Sequence, residues 1–330
     1  MALINRATSG RPPPVPAPSG APPSLTRRLG YLPPPVRPLD LGELAALGSL
    51  PLRARRLADA LGIGGHASRR KGASIEFADY RDYQFGDDLR RVDWRLYART
   101  DRLHLREAHE ETPLRVVLLL DVSPSMAYAS RKGALSKLDY ARALLGALAL
   151  LVRRQRDACG AGLLAADLTK WLPPARSPAR LQAVWGLLDT PPPGEATSLA
   201  HALHTVLEVA PRRCLFVVAS DFYEEPSALA PVIQRLRHER HDLLALQIAD
   251  PAEVDFTFEE PGIFFDIETG ADVLLDPAAQ ARDYREKFAA HRAAVSAACR
   301  DQGCEALELR TDEAPLDALR ACLARRAGQR

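Results

Sequence analysis

The sequence predicts an α/β fold built on a mostly parallel, doubly wound sheet, and three observations predict it. From residue 114 onward, short β-rich apolar runs alternate with segments of helical pattern. Two of those runs end in an aspartate, Asp121 and Asp221, with hydroxyl residues beside them. Everything before residue 114 differs in composition, which divides the chain into an arm (1–40), a small module (41–113) and the α/β domain (114–330).

The arm is dominated by Pro, Ala, Gly and Ser, as in Arg11-Pro12-Pro13-Pro14 and Leu32-Pro33-Pro34-Pro35. Such a segment buries too little apolar surface to order itself, so a disordered or polyproline-II tether is expected. The module opens with a helix over Asp40–Ala60, passes a turn at Leu61-Gly62-Ile63-Gly64-Gly65, and becomes dense in charge and aromatics. Phe77, Tyr80, Tyr83, Phe85, Trp94 and Tyr97 are expected as its core.

In the α/β domain, Arg115–Leu120 reads as a strand buried on both faces, followed by a largely apolar helix over Leu138–Arg154. Cys159–Ala165 is a second strand and Leu168–Leu172 an edge strand. Helices over Pro178–Leu188 and Ser198–Val209 flank the breaker Pro191-Pro192-Pro193-Gly194. Strand Cys214–Ala219, helix Pro226–Arg240 and strand Leu243–Ala249 follow. A hairpin over Pro261–Leu275 turning at Glu268-Thr269-Gly270, a helix over Pro277–Arg300, a strand Glu305–Leu309 and a helix Pro315–Arg325 complete the order.

Composition excludes several classes. The 330 residues are 47% hydrophobic and 26% charged with net charge +2, so nucleic acid is not demanded as a partner. The longest apolar run, Ala143–Val152, is ten residues and falls short of the ~20 that span a bilayer. Cys159, Cys214, Cys299, Cys304 and Cys322 form no CxxC pair, which points to free thiols in a reducing compartment. A cytoplasmic location is the expectation.

Binding residues in open α/β sheets collect beyond the C-terminal ends of strands. Asp121, Ser123 and Ser125 follow the first strand, Thr197 precedes a helix, and Asp221 follows a later strand. The Asp-x-Ser-x-Ser spacing puts alternate side chains on one side of an extended loop. The set is all oxygen, which suits Mg²⁺, with Mn²⁺ or Ca²⁺ as substitutes, whereas zinc prefers His or Cys.

Asp121-Val122-Ser123-Pro124-Ser125-Met126, with Thr197 and Asp221, resembles the metal-ion-dependent adhesion site of von Willebrand A domains. The resemblance implies a von Willebrand A-like, Rossmannoid fold. It implies that Asp121, both serines and Thr197 coordinate or approach the ion, and that Asp221 acts mainly through water. The second loop departs from the family's usual Gly-Gly-Thr and reads Glu195-Ala196-Thr197, where Ser198 is an alternative ligand. The long segment Glu76–Trp94, containing Tyr80-Arg81-Asp82-Tyr83-Gln84-Phe85-Gly86-Asp87-Asp88, then Ala98-Arg99, resembles the signature of the bacterial "domain of unknown function 58" family. Its members are often encoded beside MoxR-type AAA+ ATPases, so the resemblance implies a protein partner: such an ATPase or its client.

Arg81, Asp87, Asp88, Arg90, Asp93 and Arg99 are candidates for a partner-docking face, or for internal Arg–carboxylate pairs that fix the module. The Arg-rich stretch 53–106 is a second candidate face, for nucleic acid, although interspersed Asp would repel phosphate. Asp121 at a strand end is also where an aspartyl phosphotransferase places its nucleophile, but those enzymes need a second acid where Ser123 stands. With no Gly-x-Ser-x-Gly elbow, P-loop or HExxH in the chain, a metal-dependent protein-interaction module is expected rather than an enzyme.

Overall fold

The computed structural model describes residues 41–61, 79–85, 87–88, 92–107, 114–192, 198–258, 262–265 and 272–314. The expected arm, the Glu268-Thr269-Gly270 turn and the helix at 315–325 lie outside the described residues.

A six-stranded sheet organises the molecule. In chain order its strands are β3 (Arg115–Asp121), β4 (Ala158–Leu164), β5 (Leu168–Ala175), β6 (Cys214–Ser220), β7 (Asp242–Ala249) and β10 (Glu305–Arg310). Their spatial order is β10-β7-β6-β3-β4-β5, all parallel except β5, which runs antiparallel to β4. Pro173 and Pro174 confine β5 to the edge, because neither can donate to a further ladder. Gly160 makes that pairing possible: a Cβ there would meet Leu172 O and Pro174 N at 2.7 Å.

Successive β3 residues face opposite layers. Val116, Leu118 and Leu120 pack with α1 (Leu41–Ala46), α2 (Leu50–Leu61), α4 (Lys137–Arg154) and α5 (Arg180–Leu188). Val117 and Leu119 pack with α6 (Leu199–Val209), α7 (Pro226–His238) and α9 (Pro277–Asp301). This is the expected doubly wound, mostly parallel sheet, buried on both faces as its near-continuous apolar runs require. No helix among the described residues is long and apolar enough to cross a membrane.

Two details differ from expectation. The helix foreseen over Asp40–Ala60 is two helices, broken at 47–49, where Arg53 donates to Ala45 O (3.2 Å) and Leu47 O (2.7 Å). That guanidinium satisfies carbonyls the first helix leaves without intrahelical partners. Leu50, Ala54, Leu57 and Ala58 then enter the same core as α4 and Trp185, so the division expected at residue 113 runs through a shared core.

The rest of the module is a ribbon of β1 (Asp79–Asp82) paired antiparallel with β2 (His104–Glu107), with α3 (Trp94–Thr100) between them in sequence. Phe85, Trp94 and Tyr97 do not form its core: they are 104%, 57% and 37% exposed. A two-stranded ribbon and a two-turn helix have too little area to enclose them. The side chains of Phe77 and Tyr80 lie outside the described residues.

Two short elements complete the set. The helix α8 (Pro251–Asp255) follows β7, and β8 (Gly262–Phe265) pairs antiparallel with β9 (Asp272–Leu275) as the expected hairpin. Cys159, Cys214, Cys299 and Cys304 are buried thiols outside any disulfide; Cys322 lies outside the described residues.

Candidate metal centre

Chain connections diverge at β3: the path leads to β4 on one side, while β6, β7 and β10 fill the other. In sheets of this kind ligands bind where strand order reverses, which here is beyond the carboxyl ends of β3 and β6. Asp121 ends β3, Ser220 ends β6 and Asp221 follows it.

Asp121 is 2% exposed and fully engaged. Its Oδ1 accepts the Ser123 amide at 2.9 Å, and its Oδ2 accepts the Ser220 hydroxyl at 2.6 Å. Ser220 Oγ in turn accepts the Phe222 amide at 2.9 Å. Phe222 takes a left-handed conformation (φ 55°), and its carbonyl accepts His291 Nε2–H at 2.7 Å, which ties the β6 loop to α9. After Val122, a 3-10 turn over Pro124–Ala127 brings Ser125 back, placing its Oγ 3.0 Å from Ser123 Oγ.

Asp221 is buried and meets an ammonium. Lys137, at the first turn of α4, is fully buried and donates to Asp221 Oδ2 at 2.9 Å and Glu253 Oε1 at 2.7 Å. Its Nζ also lies 3.4 Å from Tyr223 Oη and 4.7 Å from the centre of that ring. Burial opposes the ammonium, but Asp221 and Glu253 outweigh it and raise the Lys137 pKa above its ordinary value. Glu253 is held by the capping box of α8, its Oε2 accepting the Asp250 amide at 2.8 Å.

Burial first, and the Asp221 charge second, push the Asp121 carboxyl up to about 6. A buried carboxyl facing a second carboxylate is an environment that a cation would stabilise. Asp121, Ser123 and Ser125 therefore fit a hard, oxygen-preferring divalent ion. Among the described residues no group of three or more His, Cys, Asp or Glu is arranged to hold a metal, so the donor set depends on the hydroxyls.

Thr197, with Glu195 and Ala196, lies outside the described residues. The start of α6 is nevertheless drawn to this end of the sheet. Ser198 N donates to Ala165 O at 3.2 Å, and Glu224 Oε2, from the β6 loop, accepts the Ala200 amide at 2.8 Å.

The candidate docking residues are dispersed. Asp93 caps α3, accepting from Arg95 N (3.0 Å) and Leu96 N (3.1 Å), and Asp87 closes a turn by accepting from Gln84 N at 2.9 Å. Asp88 and Arg99 are exposed. Arg81 lies in β1 opposite Leu105, its side chain outside the described residues together with all of Arg90.

Ser220, Lys137, Glu253 and Tyr223 are the site's neighbours that sequence reasoning missed. One signal was available: a lysine in the first turn of a helix opposes the macrodipole and calls for a local acid.

The chain is similar to several known proteins. Solved structures include the conserved hypothetical protein BatB from Bacteroides thetaiotaomicron (TM-score 0.43, 15% identity, 65% of this chain and 99% of that one). An aerotolerance-related membrane protein from Bacteroides fragilis gives TM-score 0.44 at 15% identity, over 66% of this chain and 100% of that one. An uncharacterised protein of Mycobacterium tuberculosis is 31% identical over 291 residues, 86% of this chain and 90% of its relative. The model of the family described as "Protein of unknown function DUF58" matches residues 79–298, about two thirds of the sequence, and the chain belongs to that family.

Proposed function

We propose that the protein is a metal-dependent protein-interaction module in which Asp121, Ser123 and Ser125, with Thr197 and Asp221, hold one Mg²⁺ at the switch point of the sheet. The observation that carries this reading is the convergence of the Asp121–Ser125 loop and the β6 loop on a buried, oxygen-lined corner. When bound, the ion would offer a coordination position to an acidic side chain of another protein. Asp121 orients Ser123 through its amide, Ser220 orients Asp121, and the left-handed Phe222 sets the path of the β6 loop. A MoxR-type AAA+ ATPase, or a client that it remodels, is the partner we put forward, with this chain as the adaptor. The family resemblance supports that choice.

The two alternatives fare less well. A phosphotransferase must present Asp121 as a nucleophile, yet that side chain is 2% exposed with a hydrogen bond to each oxygen. Nucleic-acid binding through 53–106 would use arginines that already serve the fold. Arg53 bonds the carbonyls of Ala45, in α1, and Leu47, just beyond it, and lies 3.8 Å from Asp139, and Arg56 pairs with Glu43 at 3.4 Å.

The test is a pull-down with the full chain and the MoxR-type ATPase of the same organism, in Mg²⁺ and in chelator. Retention in Mg²⁺, and its loss in chelator and in Ser125→Ala, are expected, with circular dichroism unchanged. Equal yield in all three would assign recognition to another surface.

A further inference from the structure

Glu224 has no part in the metal reading above, yet it joins two of the loops on which that reading depends. It lies three residues beyond Asp221 in the β6 loop, and its Oε2 accepts the Ala200 amide at 2.8 Å. Ala200 is the second residue of α6, so the carboxylate satisfies one of the amides that a helix leaves open at its start. An acid at that end also suits the macrodipole. The ordinary cap would be Ser198, which stands at the N-cap position, but its hydroxyl makes no capping hydrogen bond. Glu224 therefore caps α6 from another loop, in place of the helix's own serine.

Two tethers fix where α6 begins. Ser198 N donates to Ala165 O at 3.2 Å, and Ala165 directly follows the end of β4. Two residues later, Ala200 N is held by the β6 loop. In the sheet, β3 lies between β4 and β6. A segment fastened to the end of β4 and to the β6 loop starts across the end of β3, where Asp121 and Ser123 stand. The β6 loop is a firm anchor for it. Phe222 in that loop is left-handed (φ 55°), its amide donates to Ser220 Oγ at 2.9 Å, and its carbonyl accepts His291 Nε2–H at 2.7 Å.

We propose that Glu224 is a positioning residue for the ion: by capping α6 it ties the loop that carries Thr197 to the β6 loop and so completes the donor set. The proposal rests on the metal reading above and names the contact on which the third loop of the site depends. It needs the hydrogen bond and not the charge. Without that bond the start of α6 keeps its tether to β4 and loses its link to Asp221, so the hydroxyls of its loop are no longer fixed relative to the other donors.

The experiment titrates Mn²⁺ into the full chain and reads free Mn²⁺ by electron paramagnetic resonance. Wild type, Glu224→Ala, Glu224→Asp and Glu224→Gln are compared, each folded by circular dichroism. Glutamine keeps an acceptor of the same reach without the charge, whereas aspartate keeps the charge and falls one methylene short. Glu224→Gln should bind Mn²⁺ as wild type does. Glu224→Ala and Glu224→Asp should bind about tenfold more weakly, the loss usual when a residue that orients a metal ligand is removed. Weak binding in Glu224→Gln with Glu224→Asp near wild type would show that charge alone acts, and would overturn the proposal. Equal binding in all four overturns it too, and leaves the metal reading standing. If wild type itself does not bind Mn²⁺, the metal reading falls and the positioning role with it. Should Glu224→Ala not fold, Glu224→Asp against Glu224→Gln carries the test. A thermal melt checks the cap itself: Ser198→Ala should melt with wild type and Glu224→Ala below it. The reverse order would return the cap to Ser198 and overturn the assignment.

Discussion

His241 lies buried against Phe216, ring centres 5.0 Å apart, with its Nδ1 accepting the Cys214 amide hydrogen at 3.1 Å. Protonating Nδ1 would destroy that bond, and burial holds the imidazole below its ordinary value of 6.5, with Glu239 opposing weakly. A folded value below the unfolded one means that the unfolded chain takes up the proton first. The contribution of His241 is therefore complete above the unfolded value and is lost as pH falls through the depressed folded range. Wild type should lose melting temperature more steeply than His241→Gln between about pH 7 and pH 5, because glutamine can accept the same amide and does not titrate. Parallel curves would contradict this account. Residue-scale contacts also mark the limit of sequence reading. Asp121, Ser123 and Ser125 were legible because they lie within five positions of one another. Lys137 reaches Asp221 across 84 positions and Glu253 across 116, and Ser220 reaches Asp121 across 99. Only the fold brings those together.

At the scale of elements, long apolar runs were legible and connections between them were not. Strands β3, β6 and β7 were placed within a residue or two, because a run buried on both faces needs no alternation to be recognised. The five-residue α8 was missed, being too short to show a period, although it positions Glu253. The attachment of α2 to α4 was also hidden. Apolar spacing states that a helix has a buried face but not what covers it. That attachment carries a prediction. Leu57 is 1% exposed in the shared core, so Leu57→Ala should cost about 2–5 kcal/mol of unfolding free energy. Leu52→Ala, at a side chain 50% exposed on the same helix, should stay within about 0.5 kcal/mol. Urea denaturation reads both. Equal, small effects would mean that 41–61 is an appendage rather than part of the core.

At the scale of the whole molecule, the doubly wound sheet does one thing that no element does alone. It reverses strand order at β3 and β6 and so places two loops from distant parts of the chain side by side. Strand–helix alternation predicted such a sheet, and the Asp-x-Ser-x-Ser motif marked the end of it at which the sequence places its candidate ligands. The charge balance there was not readable, because it depends on Lys137. The central claim is that this corner holds a divalent ion, and calorimetric titration of Mg²⁺ into wild type and Asp121→Ala tests it most directly. The account predicts one ion per chain for wild type and no binding heat for Asp121→Ala, with both proteins folded by circular dichroism. Equal heats in the two proteins, or none in wild type at millimolar Mg²⁺, would contradict it.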